Sequence, residues 1–126
     1  MFFMSEEITL FDKYGGVPTI RLIIKAFYKE VLKRSYFKRF FAKVDMERLI
    51  EHQVEFVAFA MGKPKSHYPD SFLARGHRGL KITNSQFDEI TLILEKILSN
   101  FQVERKDIST ILDTIARKRH LVVNVE

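Results

Sequence analysis

Apolar side chains recur every three or four residues over most of the chain, and glycines and prolines divide this pattern into separate pieces. Such spacing places apolar residues on one face of an α-helix, whereas the alternation of period two that indicates a strand is nowhere sustained between turns. The pattern predicts an all-α fold with two very short helices and four longer ones. The tail HLVVNV, at 120–125, is the one strand-like piece. No repeat or low-complexity linker divides the chain, so we expect a single domain over residues 1–126.

Short polar residues and proline mark the starts of the predicted helices. Ser5, followed by two acids, predicts the N-cap of a short first helix, and Pro18 predicts the start of the second helix. Asp45 predicts the N-cap of a third helix. Thr83 and Gln86 have the spacing of a capping box and predict the start of a long helix.

Composition and charge exclude several kinds of site. The chain has no cysteine, which excludes a disulfide framework, a zinc ribbon, an iron–sulfur cluster and a thiol nucleophile. The formal net charge of +5 admits anionic partners, including nucleic acid, lipid headgroups and carboxylate-bearing ligands, but does not choose among them. No apolar run approaches the ~18 residues of a membrane span, and the N-terminus lacks the basic flank of a secretory signal. We therefore expect a soluble cytoplasmic protein without a membrane span.

Two polar side chains fall on helix faces that should be buried. Gln53 lies in the middle of the apolar face of the third helix, within about 40° of Leu49 and Val57 on a helical wheel. Tyr28 flanks the apolar face of the second helix. A buried polar group without a partner costs on the order of 1–3 kcal/mol, so each side chain must meet another polar group, water or a ligand. The residues alone leave a structural role and a ligand-binding role open.

The segment ARGHRG, at 74–79, places His77 where a brief helix should end. One interpretation is a histidine that the helix dipole stabilises at the C-terminus. A zinc site is disfavoured, because the histidines at 52, 67, 77 and 120 form no HExxH motif or other ligand spacing and no thiolate can join them. A site with one histidine needs a cofactor that supplies the other metal ligands, as haem does with its pyrrole nitrogens.

Several segments match one family in order along nearly the whole chain. They are YGG at 14–16, FYKEVL at 27–32, RFFAKVDMERL at 39–49, HQVEFVAFAMG at 52–62, GHRGLKIT at 76–83 and FD at 87–88. With these segments the chain resembles the truncated haemoglobins, small globins with a two-over-two helical sandwich, and most closely their first group. The resemblance implies one haem b per chain.

The resemblance also implies roles for individual residues. His77 would be the proximal ligand of the haem iron, Tyr28 and Gln53 the distal hydrogen-bonding pair, and Leu49 the gate. Further contacts to haem would come from Phe40, Phe41, Phe56, Tyr68 and Phe87, with Arg75, Arg78 and Lys81 near the propionates. His52 has two possible roles, as a residue at the rim of the pocket or as a sixth iron ligand when no gas is bound.

One loop departs from the family pattern. Relatives have a second Gly-Gly and then Tyr-x-Gly, whereas this chain reads GKPKSHYPDS. Lys63 replaces a glycine, and Pro69 and Asp70 follow Tyr68. We therefore expect the loop over residues 63–71 to differ in shape from that of its relatives.

The resemblance implies reversible binding of O₂, and of CO and NO, at the haem iron. An oxygen complex that lives long can convert nitric oxide to nitrate, so a nitric oxide dioxygenase with a separate reductase is an alternative. A remote alternative from another class is a basic helical module that binds nucleic acid through Arg117, Lys118 and Arg119. That alternative leaves Gln53 and Tyr28 unexplained, so nucleic acid is not an expected partner.

Overall fold

A computed structural model describes residues 8–124 of the chain, and all regular elements in this part are helical. They are a 3₁₀ helix, Ser35–Phe41, and the α-helices α1 (Leu10–Lys13), α2 (Gly16–Val31), α3 (Met46–Ala60), α4 (Asp70–His77), α5 (Asn84–Asn100), α6 (Arg105–Ala116) and α7 (Arg119–Val122). The predicted all-α fold is confirmed. None of these helices is both long and apolar enough to cross a membrane.

The longer helices pack as two pairs, one over the other. One pair is α2 with α3, and the other is α5 with α6. Between the pairs, α2 contacts α5 and α3 contacts α6. The apolar face of α2 that its sequence spacing predicts is buried in this sandwich: Ile20, Ile23, Ile24, Phe27, Tyr28 and Val31. This packing confirms the two-over-two helical sandwich.

Side-chain caps determine where α3 and α5 begin. Asp45 has an extended backbone, and its carboxylate accepts a hydrogen bond from the Arg48 backbone N–H at 3.3 Å. The Thr83 hydroxyl accepts a bond from the Gln86 N–H at 3.1 Å, and the Gln86 side-chain oxygen accepts one from the Thr83 N–H at 2.9 Å. These bonds satisfy N–H groups that have no partner within the helix. Both predicted caps are confirmed.

The N-terminal elements differ in part from the prediction. Ser5, the predicted cap of the first helix, lies outside the described residues, and α1 begins after Thr9. The second helix begins at Gly16 and not at Pro18, which instead lies in its first turn. Gly15 makes the turn between α1 and α2 with a φ of +100°, and a Cβ added there would lie 2.3 Å from a threonine hydroxyl. The turn therefore requires glycine.

The strand-like prediction for the tail is wrong. Residues Arg119–Val122 form the helical turn α7, which packs against α4. Beyond it, the Asn124 N–H donates to the Ile82 carbonyl at 2.9 Å, and the Ile82 N–H donates to the Asn124 side chain at 3.4 Å. A strand needs a ladder of such bonds to a neighbouring strand, and no strand is present in residues 8–124. The apolar tail residues gain burial against α4 instead.

Candidate functional site

A cleft of about 240 Å³ is bordered by α2, the 3₁₀ helix, α3, α4 and α5. Voids in packed protein interiors seldom exceed the size of a water molecule, so this space indicates a binding site. Its walls include ten of the residues predicted for the site: Tyr28, Phe40, Phe41, Leu49, His52, Gln53, Phe56, Tyr68, His77 and Phe87. The sandwich therefore brings together side chains from five helices and from the loop before α4 around one cleft.

His77 is the last residue of α4 and lines the cleft. Its Nδ1 lies 2.7 Å from the carbonyl oxygen of Leu73, one turn earlier on the same helix. Because a carbonyl can only accept, this contact assigns the proton to Nδ1 and leaves the lone pair on Nε2. Burial lowers the pKa of His77, and the bond to Leu73 opposes this effect only in part. The ring is therefore held as a neutral imidazole, the form that ligates a metal.

Tyr28 contributes a hydroxyl group to the cleft. Its ring is buried and packs edge-on against Phe27 and Phe41, with ring centroids 4.9 Å and 5.7 Å away. Within residues 8–124 its hydroxyl makes no hydrogen bond. Every fully enclosed polar side-chain atom in that range has a partner, so this hydroxyl is not fully enclosed. The hydroxyl is therefore open to the cleft that the ring lines. Burial raises the pKa of Tyr28, so the group is a protonated donor at neutral pH.

Gln53 adds a second polar group to the cleft wall. It is half-buried on α3, and the buried residues of that helix are its neighbours Val54, Phe56, Val57 and Ala58. Its amide has no hydrogen-bond partner among the described side chains and backbone groups, and it lines the cleft together with Tyr28. Two donors from two helices are thus available to a ligand in an otherwise largely apolar space.

Aromatic rings form much of the remaining wall. Tyr68 is 7% exposed, and its ring centroid lies 5.2 Å from that of Phe56 and 5.9 Å from that of Phe72. The loop that precedes it contains Gly62 and Lys65, both with positive φ. Although this loop departs from the family pattern, it places Tyr68 in the wall of the cleft.

The cations expected near the cleft lie outside its lining. Arg75, Arg78 and Lys81 are exposed, and none has a carboxylate partner in the described part of the chain. The Arg75 guanidinium lies 5.7 Å from the ring centroid of Phe72, which does line the cleft. The charge of Arg75 therefore lies beside the cleft wall.

The histidines occupy different positions relative to the cleft. His52 is exposed and lines the cleft, which places it at the mouth, whereas His67 and His120 are exposed and outside the lining. Among residues 8–124 no cluster of three or more His, Cys, Asp or Glu side chains could hold a metal ion. A lone neutral imidazole facing an aromatic cleft fits a cofactor that brings its own metal ligands. The residues present therefore fit haem.

Two of the basic residues proposed to bind nucleic acid form ion pairs within the fold. Lys118 lies 2.8 Å from the carboxylate of Asp70, and Arg119 lies 2.5 Å from that of Asp88. Arg117 is left as the one member of the set without an ion pair in the described range. Two of the three cations are thus already paired with carboxylates of the fold.

Some wall residues were not predicted from the sequence. Ile115 of α6 and Val122 of α7 both line the cleft. Val122 was missed because the tail was interpreted as strand-like. Gly76 also lines the cleft, and its position directly before His77 was the only signal for it.

Comparison with known proteins gives one family over nearly the whole described range. The family described as bacterial-like globin matches residues 9–124. A group 1 truncated hemoglobin from Tetrahymena thermophila is 30% identical over 116 residues, which are 92% of this chain and 95% of that protein. The group 1 truncated hemoglobin GlbN of Mycolicibacterium paratuberculosis is 31% identical over 112 residues, which are 89% of this chain and 82% of that protein.

Solved structures with the same architecture carry haem in at least one case. The Fe(III) form of truncated hemoglobin from Tetrahymena pyriformis has a TM-score of 0.82 at 27% identity, over 93% of this chain and 99% of that one. The 2/2 hemoglobin from Synechococcus sp. PCC 7002, solved in the cyanomet state with covalently attached heme, has a TM-score of 0.83 at 26% identity over the same shares. The chain therefore belongs to the bacterial-like globins, among the group 1 truncated haemoglobins, and has their haem-binding fold.

Proposed function

We propose that this chain binds one haem b through His77 and reversibly binds O₂, and also CO and NO, on the side of Tyr28 and Gln53. The observation that carries the proposal is the pair of donors without protein partners in residues 8–124. Their hydroxyl and amide groups line the same cleft as the neutral imidazole of His77. Both donors face the cleft without a protein partner in residues 8–124, so a ligand bound there can accept hydrogen bonds from both.

His77 has the properties of a proximal ligand. The bond from Nδ1 to the Leu73 carbonyl fixes the ring orientation and its tautomer, as outer partners of metal-bound histidines do. Haem, when bound, supplies an iron that coordinates the imidazole and a diatomic ligand. The apolar wall of Phe40, Phe41, Leu49, Phe56 and Phe87 would cover the porphyrin, with Tyr68 beside Phe56. Arg75, Arg78 and Lys81 would meet the propionates at the cleft edge.

The two distal donors should determine how long O₂ stays bound. O₂ binds with partial negative charge, and donors fixed in an apolar cleft stabilise such charge, whereas CO carries little of it. At ~0.5–1.5 kcal/mol for each hydrogen bond, the pair should slow O₂ release by roughly one to two decades.

The test is ligand release in Tyr28→Phe, Gln53→Leu and the double variant, measured by stopped flow. Each single variant should release O₂ faster, the double variant fastest, while CO release changes much less. Tyr14→Phe is the matched control, because it removes a hydroxyl that lies outside the cleft. Unaltered O₂ release in the double variant would show that the two donors do not hold the ligand.

Slow release of O₂ also favours a second function. If the oxygenated protein meets nitric oxide before it loses O₂, it can yield nitrate, which would make the protein a nitric oxide dioxygenase that needs a reductase to restore ferrous iron. Mixing the oxygenated protein with nitric oxide should then give one nitrate for each haem. Release of free O₂ without nitrate would reject this function and leave reversible binding intact. The nucleic-acid alternative gains no support from the family or from the paired Lys118 and Arg119.

A further inference from the structure

A row of aromatic rings runs from the cleft wall to the protein surface. Phe41 and Phe40 line the cleft, with ring centroids 6.4 Å apart. Phe37 stacks on Phe40 at 6.1 Å, and Tyr36 lies 4.7 Å from Phe37. Phe37 has no exposed surface, whereas Tyr36 is 53% exposed. We call these four residues the ring row; it joins the haem cleft to solvent through the interior.

The 3₁₀ helix produces this row. A 3₁₀ helix has three residues per turn, so Phe37 and Phe40 lie one above the other on its buried face. Tyr36 and Phe41 extend this pair at its outer and inner ends. The rate of electron transfer between rings falls steeply with their separation. The short spacing of these rings therefore favours electron transfer along the row.

The outer end of the row has the chemistry needed for tyrosine oxidation. The Tyr36 hydroxyl donates a hydrogen bond to the carboxylate of Glu89. The same carboxylate lies 3.4 Å from the Arg34 guanidinium. A phenol loses an electron far more readily when its proton can pass to an acceptor in the same step, and Glu89 is such an acceptor. The pKa of Tyr36 is raised, first by this bond and then by desolvation, so the phenol carries its proton at neutral pH.

The tyrosines inside the cleft lack this arrangement. Tyr28 and Tyr68 line the cleft, but within residues 8–124 neither hydroxyl donates a hydrogen bond to a carboxylate. Removing an electron from either would leave a positive charge in an apolar, buried site, which is strongly unfavourable. Of the tyrosines connected to the cleft, Tyr36 is thus the one best suited to oxidation.

We propose that Tyr36 is a surface oxidation site, through which one-electron oxidising equivalents pass from the cleft to phenolic reductants at the protein surface. The proposal rests on haem binding in the cleft. The oxidant is hydrogen peroxide, which takes two electrons and two protons and becomes two waters. In each of two turns, Tyr36 gives an electron inward along the ring row and its proton to Glu89, which releases that proton to solvent, while the reduction of peroxide takes up one proton from solvent. A phenol at the surface then returns one electron and one proton to Tyr36 and leaves as a phenoxyl radical.

The test uses the ferric haem-loaded protein with hydrogen peroxide. A nitrone spin trap followed by peptide mass mapping locates the radical, and guaiacol oxidation reports the flow of electrons to an outside phenol. Wild type should carry a trap adduct on Tyr36. Tyr36→Phe should lose this adduct and most guaiacol oxidation, Glu89→Gln should reduce both, and Phe37→Leu should reduce both by interrupting the row.

Tyr14→Phe is the matched control. Tyr14 also donates to a carboxylate, that of Asp107, but it belongs to none of the ring pairs in the described residues. The Tyr14→Phe variant should retain the spin-trap adduct on Tyr36 and the wild-type rate of guaiacol oxidation. Every variant is first checked for the Soret band and for the O₂ release rate of wild type, which confirms its fold and the distal site.

The outcomes separate this proposal from the proposed function. A normal Soret band and O₂ release rate, with adducts on Tyr28 or Tyr68 alone and an unchanged guaiacol rate in Tyr36→Phe, would overturn the surface site and leave O₂ binding intact. A missing Soret band in wild type would overturn both. A Tyr36 adduct that disappears in Phe37→Leu while the Soret band stays normal would establish the path.

Discussion

The ammonium group of Lys118 lies 2.8 Å from the carboxylate of Asp70 and joins the C-terminal segment to the first turn of α4. The next residue, Arg119, lies 2.5 Å from the carboxylate of Asp88 on α5, and its guanidinium stands 4.4 Å from the ring centroid of Phe87 in the cleft wall. The segment thus holds α4, which ends at His77, against α5.

We expect Lys118→Ala to loosen α4 locally. The ion pair is exposed, so its loss should leave global stability almost unchanged but raise the population of locally opened states. Hydrogen exchange read by mass spectrometry should be faster over residues 70–77 and unchanged over α2. Arg117→Ala, which removes a neighbouring cation without an ion pair in residues 8–124, is the control. Equal exchange of α4 in the two variants would contradict an anchoring role.

Replacing His77 by glycine should remove the proposed proximal ligand. His77→Gly is expected to bind haem more weakly and to show an altered ferrous spectrum, and added imidazole should restore the spectrum by entering the vacated space. His67→Gly, which changes an exposed histidine outside the cleft, should behave as wild type. If the ferrous spectrum and haem affinity of His77→Gly match those of wild type before imidazole is added, another residue holds the iron.

His52 should act at the mouth of the cleft, because it is exposed and still lines the cleft. The deoxy ferrous spectrum of wild type and of His52→Ala should then both be five-coordinate. A low-spin, six-coordinate wild type that becomes five-coordinate on mutation would instead assign His52 as an internal sixth ligand. In that case external ligands would bind more slowly, in proportion to the time that the site is closed.

Asp107 is the one charged side chain that is buried in the described residues, at 6% exposure. Its carboxylate accepts from Lys13 at 2.8 Å and from the Tyr14 hydroxyl at 2.5 Å, which joins α6 to the N-terminal end of the fold. These two bonds, that of Lys13 most, lower the pKa of Asp107. Asp107→Asn should therefore lower the free energy of unfolding near neutral pH, by about 1–3 kcal/mol.

This loss should depend on pH in a defined direction. Because the folded-state pKa of Asp107 is lowered, its stabilisation is complete above the unfolded-state pKa of about 3.9 and disappears as pH falls below it. Urea unfolding should therefore show a large difference between wild type and Asp107→Asn at pH 6 and a shrinking one below pH ~4. Asp113→Asn, at an exposed position on the same helix, should show neither effect. A difference that is constant across this range would mean that the carboxylate charge is not involved.

Local signals in the sequence predicted much of this fold. The caps at Asp45 and Thr83 act on N–H groups three residues away, so the order of residues alone is enough to identify them. Tyr28 and Gln53 were identified for a similar reason, since a polar residue on an apolar helix face is visible within one helix. Their placement around one cleft follows from the two-over-two sandwich, which the family resemblance supplied.

Distant contacts explain what the sequence did not predict. The tail becomes helical and lines the cleft because Asn124 pairs with Ile82, 42 positions earlier, and Lys118 with Asp70, 48 positions earlier. A local sequence pattern does not indicate contacts between residues so far apart in the chain. The ring row has the same limitation, because the stacking of Phe37 on Phe40 depends on the 3₁₀ geometry of their segment.

The cleft also has a consequence for how long the protein survives in a cell. Side chains such as Ile24 and Leu94 belong to the core and at the same time line the cleft, so part of the hydrophobic interior is completed only by a bound cofactor. A ligand that binds only the folded state adds about 4 kcal/mol to stability when it is present at a thousand times its dissociation constant. Protein made while haem is scarce would unfold more often and be degraded sooner, so the cellular abundance of this globin should follow haem supply even at a constant rate of synthesis.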